Sequence, residues 1–409
     1  MYIFKAAVVG AGAISAPIAQ VISYSGLPVV LKDVDQAMLD KGMARIRKIY
    51  QGRVDKGKMY AGDMYGKLSL VTPTLAYEDF GDVDIVIEAV PERMSVKRAV
   101  LGELAKVLPE SAVVASNTSA LSISEMGAAS GRPGKMVGMH FFNPAHVMKL
   151  VEVIPGLDTT QDTVDDVVAF TESLRKLPVV VQECPGFLVN RLLMPYLNEA
   201  VLALQEGEGS ANEIDEKMRE WGWPMGPFLL MDMLGLDVCA DVGQYLQSEY
   251  GDRMRGAELF PMLVKARRLG EKSGAGFFGY GNETDEPVKK MIAELQASGV
   301  SKKRGDAFDP DRLTMPLINE AALCLQEHVA APNDVDMAMV AGTGMTYGGE
   351  RVGPLAVADI LGLDTVVAKL EELQKKHGER FRPARLLRTK VRAGHLGRKS
   401  GKGFHEYSG

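Results

Sequence analysis

Short apolar runs alternate with amphipathic stretches through the first half of the chain. "KAAVVG", "LPVVLKDVD", "VDIVIEAVPE" and "AVVASNTSA" are apolar segments that end in a glycine or in polar residues. Helical spacing fills the intervals between them, with one basic helical stretch over 35–66. Strands that alternate with helices predict a parallel sheet covered on both faces. "KMVGMHFF" and "MKLVEVIPG" follow one another across a loop too short for a parallel crossover, which predicts an antiparallel pair at the sheet edge. "LPVVVQE" closes this half. From there on the pattern is helical: Leu188, Leu192, Leu193, Tyr196, Val201 and Leu204 fall near helical spacing.

The helical half repeats itself. "RLLMPYLNEAVLALQE" matches "RLTMPLINEAALCLQE", and "NEIDEKM" matches "NDVDMAM". "MGPFLLMDMLGLD" matches "VGPLAVADILGLD", and "GEKSGAGFFGY" matches "GRKSGKGFHEY". Arg191 corresponds to Arg312, an offset of 121, and Asp237 to Asp364, an offset of 127. Two long copies are a duplication rather than a solenoid, which stacks shorter units in larger number. The Gly-Pro and Gly-Leu-Asp positions read as turn and cap chemistry. The expected fold class is therefore α/β: a Rossmann-like domain at 1–182, then two duplicated all-helical domains at 183–300 and 301–409.

The first glycine turn gives that expectation its chemistry. In "VVGAGAISAP", Gly10 permits a tight turn and Gly12 lets the backbone approach a pyrophosphate. Ala13 and Ile14 lead into a helix whose free N–H groups and positive dipole end favour phosphate. Ser15 stands where the fingerprint has its third glycine, and Pro17 falls in the first helical turn, where a missing N–H costs little. Asp33 ends the second strand. An acid there accepts from a ribose 2′-hydroxyl and repels a 2′-phosphate, so the expected cofactor is NAD; Asp35 lies past the strand end and fits the role less well.

In a doubly wound sheet, ligands sit beyond the carboxyl ends of the strands. Glu88 to Glu92, Asn117 to Ser119 and His140 to Asn143 all follow such ends. Oxidising a secondary alcohol sends a hydride to the nicotinamide and a proton to a base. Histidine suits the base role near neutral pH. His140 ends one apolar run and Glu152 is alone in the next, so an acid is available to hold the ring.

Composition narrows the setting. The chain of 409 residues carries a formal net charge of −6, which argues against a nucleic-acid partner. Cys184, Cys239 and Cys324 form no ligand spacing, so no metal is expected and a reduced, cytoplasmic setting is. No signal-peptide pattern or membrane-length apolar run is present, and no membrane association is expected.

"ASNTSALSI", "GMHFFNPAHVMKLVEVI" and "CPGFLVNRLLMPYLNEA" together resemble the L-3-hydroxyacyl-CoA dehydrogenase family, and the resemblance covers essentially the whole chain. It is most like the dehydrogenase part of bacterial fatty-oxidation multifunctional enzymes, without their hydratase half. The resemblance implies NAD-dependent, reversible oxidation of L-3-hydroxyacyl-CoA in fatty-acid or related acyl-CoA degradation. It implies His140 as base, Glu152 as its partner, Ser119 on the substrate's 3-oxygen and Asn190 as a positioning residue. It places Glu92, Lys97 and Asn143 on the cofactor's nicotinamide side and Asp33 at the adenosine ribose; Asn117, at its strand end, is also expected to bind the cofactor. Arg45, Arg47, Lys48, Arg53, Lys56 and Lys58 lie on a segment that resembles the one meeting CoA; a solvated helix face is the other reading. In copy two Asp311 stands at the Asn190 position, so that copy is expected to be structural, as a second subunit's helical domain is in dimeric family members. A monomer with an internal pseudo-dimer, a homodimer, and a separate enoyl-CoA hydratase partner are all compatible with this reading. Two other functions remain open: a dehydrogenase of a free hydroxy or sugar acid on the same scaffold, and a non-catalytic acyl-CoA-binding subunit of a β-oxidation complex.

Overall fold

The alternation in the first half resolves into one eight-stranded sheet. In the computed structural model, which describes residues 2–407, the strands are β1 (Ala6–Val9), β2 (Val29–Lys32), β3 (Val71–Thr74) and β4 (Ile85–Glu88). β5 (Val113–Ser116), β6 (Met136–Phe141), β7 (Leu150–Pro155) and β8 (Leu177–Val180) complete it. Their order is β3-β2-β1-β4-β5-β6-β7-β8. All neighbours run parallel except β6 and β7, the predicted antiparallel pair. The inner strands are buried along their whole length, as a sheet covered on both faces requires.

Two local features differ from the sequence reading. β3 has the sequence Val-Thr-Pro-Thr, and only Val71 is buried, so it carries no apolar signature. Pro73 cannot donate to a ladder and is tolerated because β3 is an edge strand. The helical stretch over 35–66 is two helices, Gln36–Asp55 and Ala61–Leu68, and Gly57 between them takes φ +65°. The chain divides after Phe187 into two compact units, past the expected boundary at 182, and both helical copies share the second.

In that second unit each copy contributes five corresponding helices. Copy one has Val189–Gln205, Ala211–Trp221, Pro227–Leu234, Leu236–Tyr250 and Leu259–Lys265. Copy two has Asp311–Gln326, Pro332–Thr343, Pro354–Leu361, Leu363–His377 and Arg385–Arg392. The repeated acids collect backbone N–H groups. Asp215 accepts from the N–H groups of Phe228 and Leu229 at 2.8 and 3.0 Å, and Asp336 from those of Leu355 and Ala356 at the same distances. Asp232 accepts from Phe277 and Phe278 N–H and the Tyr280 hydroxyl; Asp359 does the same with Phe404, His405 and Tyr407. Burial pushes the Asp215 carboxyl up to about 6. Asp215 and Asp336 satisfy orphan N–H groups at helix starts, and Asp232 and Asp359 satisfy loop N–H groups, which is why these acids and the glycines facing them recur in both copies.

The two copies are joined by reciprocal ion pairs. Glu199 of copy one accepts from Arg312 (3.1 Å) and Arg380 of copy two. Glu320 of copy two accepts from Arg191 (2.8 Å) and Arg253 (3.1 Å) of copy one. Arg191, Glu199 and Arg253 are the repeat partners of Arg312, Glu320 and Arg380. Contacts that exchange in this way mark an isologous interface, here within one chain.

His377 lies buried beside this network and its pKa is lowered to about 3, first by desolvation, then by Arg312, Arg304, Arg380 and Lys376. Glu206 is the nearest acid, at 3.9 Å. The unfolded chain therefore binds a proton at this histidine between about pH 6.5 and 3 that the folded unit does not. Stability falls as pH drops through that window. His377→Gln is expected to flatten the acid side of a melting temperature against pH profile. An unchanged profile would exclude this residue as a source of acid sensitivity.

Candidate active site

The turn after β1 has the features a dinucleotide needs. Gly10 has φ +106°, and a Cβ on it would lie 2.8 Å from the Ala89 carbonyl oxygen. A Cβ on Gly12 would meet nothing nearer than Ser15 Oγ at 3.7 Å, so the space above that residue is open. The N–H groups of Gly12, Ala13 and Ile14 make no hydrogen bond among the described residues and stand at the head of the helix Ser15–Tyr24. Ser15 turns inward: it is 1% exposed and donates to the Ala89 carbonyl at 3.1 Å. It bridges helix and sheet where the fingerprint glycine would merely pack. Pro17 is the third residue of that helix, among the N–H positions that have no partner within a helix. Asp33 accepts from Ala11 N–H and Val34 N–H, both at 2.7 Å, which fixes its carboxylate beside the glycine turn. These residues fit an NAD pyrophosphate and adenosine ribose.

Three strand ends lie on the side of that turn because β4, β5 and β6 follow β1 in order across the sheet and run parallel to it. Glu88 and Ser116 are register partners, as are Ser116 and Gly138. Glu92, Ser119 and His140 therefore lie at or past the same sheet end. The β6–β7 register pairs His140 directly with Glu152. Directly opposed residues of antiparallel strands share a face, and His140 Nδ1 lies 2.6 Å from Glu152 Oε2. Both are buried, at 6% and 0% exposure. A carboxylate can only accept, so Nδ1 donates, and in the neutral ring that leaves the lone pair on Nε2. Phe142 and Phe187 flank the imidazole at 4.6 and 5.9 Å between ring centroids and restrict its rotation.

Ser119 is held by its backbone: its N–H donates to Glu92 Oε1 at 2.8 Å. Its hydroxyl makes no hydrogen bond among the described residues. Glu92 Oε1 also accepts from the Thr118 hydroxyl at 2.5 Å. Lys97 is 1% exposed and its ammonium sits 2.9 Å from Glu88 and 3.3 Å from Glu92. Asn117 Oδ1 accepts from Phe141 N–H at 2.8 Å, tying β5 to the residue after His140. Asn143 is exposed on the loop after β6. Asn190 lies in the first turn of the helix Val189–Gln205, in the second unit.

Glu88 is a buried acid beside these residues that the sequence marks only as a strand end. It is fully buried and accepts from Lys97, Val90 N–H and the Ser116 hydroxyl, so it couples β4, β5 and the helix Met94–Val107. The signal was the one that exposes Glu152, a lone carboxylate in an apolar run. Arg45 reaches the Gly12 carbonyl at 2.9 Å, while Arg47, Lys48, Lys56 and Lys58 are exposed. Among the described residues, one group of acids and a histidine is close enough to share a metal: Glu206, Glu208 and His377. Arg312 already lies 3.0 and 2.8 Å from those two carboxylates, and its fixed charge repels a cation there. No helix among the described residues is long and apolar enough to cross a membrane.

Comparison with known proteins places these features. Residues 5–184 match the model of the 3-hydroxyacyl-CoA dehydrogenase NAD binding domain. Residues 186–280 and 308–407 each match the model of the 3-hydroxyacyl-CoA dehydrogenase C-terminal domain, which is the duplication. The fatty acid oxidation complex subunit alpha of Psychrobacter arcticus is 40% identical over 382 residues, 90% of this chain and 52% of that protein. The chain thus spans about half the length of the curated relatives it matches. Among solved structures, 3-hydroxybutyryl-CoA dehydrogenase from Escherichia coli K12 superposes with a TM-score of 0.86 at 30% identity, covering 96% of this chain and 99% of that one. The (S)-3-hydroxybutyryl-CoA dehydrogenase of Ralstonia eutropha is 39% identical, with a TM-score of 0.67, and covers 68% of this chain and 100% of its own.

Proposed function

The chain belongs to the 3-hydroxyacyl-CoA dehydrogenase family, and on that premise we propose that it catalyses the reversible NAD-dependent oxidation of an L-3-hydroxyacyl-CoA to the 3-oxoacyl-CoA. The observation that carries this reading is the buried His140–Glu152 pair at the sheet end beside the dinucleotide turn. NAD supplies the hydride acceptor. His140 takes the hydroxyl proton at Nε2, the nitrogen not committed to Glu152. Glu152 fixes the tautomer and faces the imidazolium as it forms. The Ser119 hydroxyl hydrogen-bonds the substrate's 3-oxygen, and Asn190 positions the substrate. Asp33 holds the adenosine ribose, with Glu92, Lys97, Asn117 and Asn143 on the nicotinamide side. The exposed bases after Arg45 receive the CoA phosphates. Asp311, which stands at the Asn190 position, pairs with Lys369 instead, and copy two acts as the internal partner of copy one. The names of the bacterial relatives, fatty acid oxidation complex subunits, support a place in acyl-CoA degradation, where an enoyl-CoA hydratase would supply the hydroxyacyl thioester.

The test is NADH consumption with acetoacetyl-CoA against free acetoacetate. The thioester should be turned over with kcat/KM roughly a hundredfold or more above that of the free acid, since remote binding energy raises the rate. Equal rates would move the assignment to a free hydroxy acid. NADH binding without turnover would favour a non-catalytic subunit. Asp33→Ala should weaken NADH binding about tenfold, the worth of a charged hydrogen bond, and NADPH binding much less. Parallel losses for both nucleotides, measured by fluorescence titration, would exclude Asp33 from the ribose.

A further inference from the structure

The helical unit encloses a cavity of about 920 Å³, and no residue assigned above to catalysis or cofactor lines it. Small-ligand sites span roughly 300–1,000 Å³. The cavity lies where the two copies meet. Repeat-related residues line it from both sides: Pro195 with Pro316, Asn198 with Asn319, and Arg255 with Arg382. Its apolar wall includes Met194, Leu246, Phe260 and Leu323.

The cations at its mouth are held in place through their backbones. Asn198 donates to the Arg255 carbonyl at 2.9 Å and accepts from Ala257 N–H at 2.8 Å. Asn319 donates to the Arg382 carbonyl at 3.0 Å and accepts from Ala384 N–H at 2.7 Å. The two guanidiniums are themselves exposed, at 67% and 65%, and have only loose acids near them, Glu258 at 3.4 Å and Glu379 at 3.8 Å. Exposed pairs at such separations are weak and exchange readily for another anion. The copies also differ in charge here: Glu258 of copy one is Arg385 in copy two. Arg385 and Lys265 line the cavity with no ion-pair partner among the described residues, against one such acid, Asp241.

We propose that this cavity binds an amphipathic anion: an unbranched apolar chain ending in a compact anionic group, a carboxylate or a phosphate monoester. The chain fills the apolar wall between the copies, and the terminal anion replaces Glu258 or Glu379 at Arg255 and Arg382, where a guanidinium fork matches either group. Binding here does not involve His140 or the dinucleotide turn.

Isothermal titration of the full chain with dodecanoate, dodecyl phosphate and dodecanol, below their aggregation limits, tests this. One saturable site per chain is expected for at least one of the two anions, and which binds tighter identifies the head group. Dodecanol should bind about tenfold or more weakly than that anion. Arg255→Ala with Arg382→Ala should weaken the anion about tenfold; both side chains are exposed, so the fold is spared. Gly243→Leu should abolish binding. Gly243 lies in the helix Leu236–Tyr250, and its Cβ position meets only the flexible Met194 terminus, at 3.4 Å. Leucine is also the better helix former. NADH should leave the affinity unchanged. Absence of saturable binding, dodecanol as tight as the anions, or binding indifferent to the arginine pair would overturn the site.

Discussion

His140→Ala is expected to lower kcat for acetoacetyl-CoA reduction by at least ~10²-fold, the usual worth of a positioned general acid–base group. In that direction the imidazolium gives its proton to the oxygen that receives no hydride. Alanine leaves a space where only water can act. The dinucleotide turn follows β1, with two strands between it and β6, so NADH affinity should hold while kcat falls. That split separates loss of a reacting group from loss of the fold. Glu152→Gln should also lower kcat, by less: glutamine still accepts from Nδ1 but does not stabilise the charged ring. A His140→Ala enzyme that turns over at the wild-type rate would remove this residue from the mechanism.

The second large effect falls on stability. Arg312→Met is expected to destabilise the helical unit by about 3–5 kcal/mol, the range for breaking a buried ion pair from one side. Arg312 is 1% exposed and touches Glu199, Glu206 and Glu208. Methionine fills much of the volume but leaves three acids facing one another in a poorly solvated place. For a unit of this size, thermal unfolding followed by circular dichroism should show a melting temperature lower by roughly 10 °C. By contrast, removing the exposed Arg255–Glu258 contact should change it by under about 1 kcal/mol. A melting temperature for Arg312→Met within measurement error of wild type would show that the reciprocal pairs do not hold the copies together.

Much of the architecture is legible in local pattern. The apolar runs locate seven strands, the short β6–β7 loop implies their antiparallel pairing, and the matched strings reveal the duplication. β3 is missed because an edge strand buries little and tolerates proline, so nothing apolar marks it. The helix break at Gly57 is missed because a single glycine in a basic stretch carries no periodic signal. Lys97 shows a different limit. The resemblance implies a place on the nicotinamide side, but nothing in the local sequence shows that its ammonium is buried against Glu88, nine residues away.

What the amino-acid order determines unaided is whatever depends on near neighbours: strand–turn–helix at the glycines, helical period, cap residues, and the presence of an imidazole and a lone acid in adjacent runs. Which charges meet is decided by tertiary structure. A shift of one residue between β6 and β7 would send Glu152 to the opposite face from His140, so their contact depends on register. Glu199 and Arg380 are 181 positions apart and come together only because two folded copies pack reciprocally. Burial then makes such pairings consequential, since charges removed from water must be matched by partners that only the assembled core supplies.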